Sequence, residues 1–346
     1  MRLKTLFLCG HESRYGLAHL KPILDSSFNV IAVVLVNHAR WSIFRESLNG
    51  KVFVEAYPPP VRIARALRSH AIRFLHHTLA ERKVRKLCSK KNVPVWSTFD
   101  VNENSFISKI KNCNVDLVLS AAFPQIFSKS LIETPRRGSV NFHPSLLPKF
   151  RGAHPHFWAI AKGETESGIS AHFMTERIDE GNIIAQIPFE ISNLSYQQLY
   201  DKIVSETPVL VAHVEKFFYK EGATASPQDS SQATYFRNNR DIHHCIFWEL
   251  LSAAEILNLT RTGMAYCYFR NKPVKIFEVY ITKSNRNLTN NLQVMPGAVV
   301  DFSNDALVVK AIDGCVNIRV LGNGRRRYPF GKWIKKSRVK IGERFN

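Results

Sequence analysis

Asn141 and His143 stand two residues apart in the run Asn141-Phe142-His143-Pro144-Ser145-Leu146-Leu147-Pro148. On an extended strand, residues two apart project to one face. An amide and an imidazole side by side offer an oxyanion donor next to a group that carries protons near neutral pH. A third candidate, Asp179, lies in Glu176-Arg177-Ile178-Asp179-Glu180-Gly181, just ahead of a glycine turn. At a loop tip its carboxylate would either orient the imidazole and favour its charged form or simply cap the turn. The residue types alone leave both readings open.

Such a trio needs a frame. Leu6–Cys9, Val30–Val36, Pro94–Trp96, Val115–Ser120 and Ser139–His143 read as short buried strands. Between them Leu17–Leu24, Ile63–Ser89 and Phe106–Lys111 have helical spacing. Apolar runs without alternation are expected where a sheet is covered on both faces. Alternating strands and helices predict an α/β domain with a mostly parallel sheet. Ligands bind such sheets at the carboxyl ends of the strands. Pro144 and Pro148 cannot extend a ladder, so the chain leaves the sheet just after His143. The stretch Ser120–Phe127 also leaves the end of a strand. It would either receive a flat ligand or serve as a plain connection.

Ile169–Met174 and Ile183–Ile191 read as two more strands, and Tyr196–Tyr219 as a long helix that Pro208 would kink or split. Residues 221–235 have a linker's composition. Beyond them come a helix over Trp248–Arg261 and five short strands: Ala265–Phe269, Val274–Ile281, Gly297–Phe302, Ala306–Ala311 and Val316–Leu321. That pattern predicts a small β-barrel of the oligonucleotide-binding (OB) type. The expected layout is a catalytic domain over 1–220, a linker over 221–235 and a β domain over 236–346.

The chain has 346 residues and a formal net charge of +20. Residues 61–91 hold ten Lys and Arg against one acid, and residues 318–346 hold ten against one. These two blocks account for nearly all of the excess. They are either solvated faces or surfaces for a polyanion such as nucleic acid. No apolar run of about 18 residues predicts a membrane span, and Thr5–Cys9 is too short for a signal-peptide core. Six scattered cysteines without a C-x-x-C pair predict a reduced, cytoplasmic setting. His154-Pro155-His156 and His76-His77 lack a spaced third ligand, so no metal is expected. Gly10 and Gly16 do not form a dinucleotide fingerprint.

Three pieces, Asn141 to Pro148, Gly168 to Met174 and Ile178 to Ile184, resemble in order and spacing the formyltransferases that use 10-formyltetrahydrofolate. Ser252 to Ile256, Gly263 to Tyr266, Pro296-Gly297 and Ile341 to Phe345 resemble the C-terminal domain of the longer, methionyl-tRNA-specific branch. The resemblance implies a Rossmann-like catalytic domain and an OB-like β domain. It also implies formyl transfer from 10-formyltetrahydrofolate to a primary amine, without a metal. It assigns His143 as general acid and base, Asn141 as oxyanion donor, and Asp179 as the group that orients and charges His143. It places folate against Phe123, Pro124, Gln125, Ile126, Phe127, Ser145, Leu146, Leu147, Pro148, Thr175 and Ile178. Initiator methionyl-tRNA is the implied acceptor, with the basic blocks 61–91 and 318–346 as its contact surfaces. A nucleotide-linked amino sugar is the alternative acceptor. An inactive nucleic-acid-binding relative is a third reading, opposed by the presence of all three catalytic types. The turn Cys9 to Gly16 departs from the Gly-Thr-Pro type of the tRNA-specific branch.

Overall fold

The computed structural model describes residues 2–11, 13–36, 78–282, 294–303, 305–323 and 326–346. The helix expected over 63–89 is therefore seen only as residues 78–89, and His76, His77 and Arg325 lie outside the described residues. Along the chain come β1 (Lys4–Cys9), α1 (Arg14–Asp25), β2 (Asn29–Val36), α2 (78–89), β3 (Val95–Thr98) and α3 (Asn104–Asn112). Then follow β4 (Leu117–Ala121), α4 (Lys129–Ile132), β5 (Ser139–His143), β6 (Arg151–Gly152), α5 (Pro155–Ala161), β7 (Glu166–Phe173), β8 (Ile183–Glu190) and α6 (Tyr196–Tyr219). By contact density the chain forms two compact units. One is Met1–Lys149, Gly168–Ile187 and Ile203–Ala233, and the other is Phe150–Ser167, Pro188–Lys202 and Thr234–Asn346.

The main sheet has seven strands in the order β3-β2-β1-β4-β5-β7-β8. Strands β3, β2, β1, β4 and β5 pair in parallel, and β7 joins β5 antiparallel. Strand β1 has β2 on one side and β4 on the other, so the order reverses at β1. In open α/β sheets ligands bind near such a reversal, at the carboxyl ends of the strands. The backbone N–H of Gly10 donates to Ala121 O at 2.9 Å, and a Cβ at Gly10 would collide with Ala122 O. Only glycine lets the loop after β1 lie this close to the end of β4. Leu6, Leu8, Val34 and Val118 pack with Phe106 and Ile110 of α3. The alternate residues Phe7, Val33, Leu119 and Phe142 are buried as well. Burial on both faces explains the unbroken apolar runs.

Pro208 does not split α6. Proline removes the N–H that would serve the carbonyl four residues back. Here the Thr207 hydroxyl donates to that carbonyl, Val204 O, at 2.9 Å. The helix keeps its buried stripe of Leu199, Ile203, Leu210, Val211 and Val214.

The second unit holds the two-residue strand β9 (Tyr235–Phe236), which pairs with β6, then α7 (Ala253–Arg261) and a six-stranded sheet. Its strands are β10 (Tyr266–Phe269), β11 (Lys272–Tyr280), β12 (Val299–Phe302), β13 (Leu307–Lys310), β14 (Cys315–Asn323) and β15 (Arg326–Pro329), followed by α8 (Phe330–Ser337). All the strand pairs are antiparallel. Residues 343–346 join the two edges. Glu343 O and Gly297 O bond to Val299 N and Phe345 N, and Tyr268 and Asn346 exchange backbone bonds at 2.7 and 2.8 Å. Phe345 packs in the core with Trp248, Phe269 and Trp333. The α/β sheet and the OB-like domain are thus as expected.

Two expectations change in detail. The helix expected from Trp248 starts at Ala253, because Ser252 forms a capping box with Glu255, and Trp248 is a fully buried core residue. A sixth strand, β15, comes from the second basic block, where Arg326-Arg327-Tyr328 carries no apolar alternation to announce it. Helix α8 then buries Trp333 and turns Lys332, Lys335 and Lys336 to solvent.

Candidate active site

Strand β5 alternates. Phe142 points into the apolar layer and is 1% exposed, so Asn141 and His143 share the opposite face. The antiparallel register sets Asn141 across from His172 and His143 across from Ser170. Four polar side chains thus sit together on one face of the sheet, with Ser120 of β4 beside Asn141. His143, Ser170 and His172 are all buried.

Asp179 arrives from the loop between β7 and β8. That loop is closed at its base by Phe173 N–H donating to Asn182 O at 2.9 Å. Asp179 has φ 56°, a left-handed conformation, and Gly181 lies so close to Phe173 O that a Cβ would collide with it. The turn brings the carboxylate over the polar face. Its Oδ2 is 3.6 Å from His143 Nδ1. Its Oδ1 is 3.4 Å from His172 Nε2 and accepts from Asn141 Nδ2 at 3.4 Å. The structure therefore brings together all three residues singled out from the sequence.

His172 is the residue that sequence reasoning passed over. Its Nδ1 lies 2.8 Å from Phe173 O, which makes Nδ1 the protonated nitrogen and leaves Nε2 facing Asp179 and Asn141 Nδ2. The available signal was Ser170-x-His172, two polar residues at strand period opposite Asn141-x-His143. Only the register makes that spacing meaningful. These contacts are long for hydrogen bonds. Catalytic contacts often tighten only when substrate is bound.

A cleft opens beside this face. Phe123, Gln125, Ile126, Phe127, Thr175 and Ile178, six of the expected folate contacts, line it, and Ser120, Asn141, His172, Glu176, Arg177 and Asp179 add polar groups. Pro124, Ser145, Leu146, Leu147 and Pro148 are not among its lining residues. Gln125 lines the cleft while its amide holds a neighbouring loop, donating to Phe99 O at 2.6 Å and accepting from Val101 N at 3.0 Å. Ser145 and Leu147 belong to a buried knot instead. Ser170 Oγ donates to Ser145 O at 2.6 Å and accepts from Leu147 N at 3.2 Å. Gln186 Nε2 donates to Leu147 O at 2.8 Å and to Ser170 Oγ at 2.9 Å. The loop after His143 is thereby held from behind. Among the described residues no group of three or more His, Cys, Asp or Glu could hold a metal ion, and no helix is long and apolar enough to cross a membrane.

Most of the described cations of the second basic block are exposed, and several lie over rings. Arg327 lies 4.5 Å over Phe277, Arg319 4.8 Å over Tyr280 and Lys336 4.9 Å over Tyr328. Arg319 is already paired with Asp305 and Glu278.

Residues 68–214 match the family described as "Formyl transferase", and residues 241–338 match "Formyl transferase, C-terminal domain". The methionyl-tRNA formyltransferase of Fusobacterium nucleatum is 31% identical over 266 residues, 75% of this chain and 84% of that protein. The methionyl-tRNA formyltransferase of Desulforamulus reducens is 28% identical over 335 residues, 95% of this chain and 93% of that protein. Among solved structures, the N-formyltransferase from Helicobacter canadensis, in complex with folinic acid and dTDP-3-aminofucose, superposes with a TM-score of 0.55. It is 17% identical and is matched over 92% of this chain and 99% of that one.

Proposed function

Because this chain belongs to the formyl transferase family, we propose that it moves the formyl group of 10-formyltetrahydrofolate to a primary amine, that of initiator methionyl-tRNA. The observation that carries the reaction is the convergence of Asn141, His143 and Asp179 within 3.4 to 3.6 Å beside an open cleft. The folate donor supplies an activated formyl carbon. The cleft suits a flat aromatic donor, with Phe123, Ile126, Phe127 and Ile178 among its lining residues together with polar groups.

In this reading the attacking amine loses a proton and the departing folate nitrogen gains one. His143 carries that proton, either directly or through a water. Asp179 stabilises the ring while it is positively charged. Asn141 turns an amide hydrogen toward the formyl oxygen as negative charge builds there. Its present contacts, at 3.4 Å to Asp179 and to His172, are weak enough to be exchanged. His172 closes the other side of the site, its Nε2 3.4 Å from Asn141 Nδ2.

For the acceptor, the relatives named methionyl-tRNA formyltransferase and the cationic face of α8 and β15 support tRNA, through phosphate contacts and a cytoplasmic setting. An acceptor panel incubated with 10-formyltetrahydrofolate tests this. Formyl incorporation into methionyl-tRNA is expected. Incorporation only into an amino-sugar nucleotide would overturn the acceptor and keep the reaction.

A further inference from the structure

We infer that Gln228, in the segment whose composition reads as a linker, is a positioning residue for formyl transfer, holding the loop that presents Asp179. The inference rests on the reading of Asp179 as the partner of His143. The segment does not hang free. Ser226 exchanges two backbone hydrogen bonds with Ile183, at 2.7 and 2.9 Å, and so runs beside the first residue of β8. Two residues further on, Gln228 Nε2 donates to Asp179 O at 2.8 Å and to Gly181 O at 2.8 Å. One amide nitrogen has two hydrogens. Here they reach the carbonyls on either side of Glu180 and staple the turn.

The turn needs a staple. Asp179 has φ 56°, a region that residues other than glycine occupy uncommonly and at a cost. Thr175 Oγ1 donates to Arg177 O, and the exposed Lys129–Glu176 and Arg177–Glu180 pairs hold neighbouring residues of the same loop. The carboxylate has no slack either. Its contacts with His143, His172 and Asn141 are already 3.4 to 3.6 Å, so a drift of about 1 Å takes them out of range. Gln228 therefore acts on catalysis through the backbone of Asp179, without touching the reacting atoms.

The experiment compares Gln228→Leu, which loses the donor at similar size, with Gln228→Lys, which restores a donor on a flexible stem. Both are assayed with 10-formyltetrahydrofolate and the acceptor that the wild-type chain formylates in the panel above, beside Asp179→Asn. Gln228→Leu is expected to lower kcat about tenfold with a smaller change in KM for the folate. It should also shift the acid limb of the kcat profile to lower pH, because His143 loses the carboxylate's support. Gln228→Lys should recover most of the rate and the profile, and the melting temperature of both variants should stay near wild type. A Gln228→Leu enzyme within twofold of wild type, with an unshifted profile and an inactive Asp179→Asn control, would overturn the role of Gln228 alone. An Asp179→Asn enzyme with full activity would overturn the reading of Asp179, and the role of Gln228 with it.

Discussion

The polar face of β5 and β7 and the cationic face of the OB-like domain both gather polar groups, under opposite conditions. On β5 and β7 the groups are few and at least half-buried, and they converge on one carboxylate: His143, His172 and Asn141 all face Asp179. On the OB-like domain they are many and exposed, and several cations lie over aromatic rings: Arg327 on Phe277, Arg319 on Tyr280, Lys336 on Tyr328. Removing water strengthens each remaining interaction and leaves no substitute for a lost partner. In solvent, screening weakens each charge, and neighbouring charges stand in for one another. The first arrangement suits chemistry and the second suits reversible, salt-sensitive association.

The largest expected effect breaks the first region. His143→Ala should lower kcat by roughly 10²–10⁴-fold, the range of general acid–base catalysis, with the fold intact by circular dichroism. Asp179→Asn should fall in the same range. Near-wild-type turnover in both would remove the proposed mechanism.

A second prediction sharpens what burial does on the other side of the same sheet. His19 of α1 is completely buried, its ring 4.4 Å from that of Phe142. Nδ1 donates to Tyr15 O at 2.8 Å, and Nε2 has no hydrogen-bond partner among the described residues. Burial lowers its pKa from 6.5 to about 4, against a smaller opposing contribution from the Tyr15 carbonyl. Between those values the unfolded chain binds a proton that the folded chain does not. Stability is therefore lost as pH falls through that window. The cost at pH 5 is roughly 2 kcal/mol. Urea unfolding at pH 7.5 and pH 5 should show His19→Gln losing less stability on acidification than wild type by about that amount. An equal loss in both would remove the assignment.

The smallest effect is expected from the second region. Reversing Arg326, Lys335 and Lys336 together should raise KM for methionyl-tRNA about tenfold and flatten its salt dependence, because each phosphate contact contributes to the slope. Folate KM and melting temperature should hold. A salt slope equal to wild type would separate this face from the acceptor.

Asn141-x-His143 was legible because the strand period alone places both on one face, and the prolines after His143 mark where the chain leaves the sheet. The alternation of elements is a local signal of the same kind; the Ser252 capping box is also local, yet the expected helix began at Trp248 instead. The antiparallel register that sets His172 opposite Asn141 joins residues 31 apart, and no local pattern encodes it. The separate fates of Phe123 to Phe127, which line the cleft apart from Pro124, and of Ser145 to Pro148, which sit outside it, were equally hidden. Both stretches follow strands and look alike in composition. Nor could composition show that a segment of small and polar residues returns to clasp the Asp179 turn through Gln228. Sequence by itself determined which groups are available for chemistry and which strand carries two of them, since backbone period and side-chain type are local properties. Tertiary structure decided which of them meet, because a contact between distant residues depends on strand order, register and the turn that the packed chain imposes.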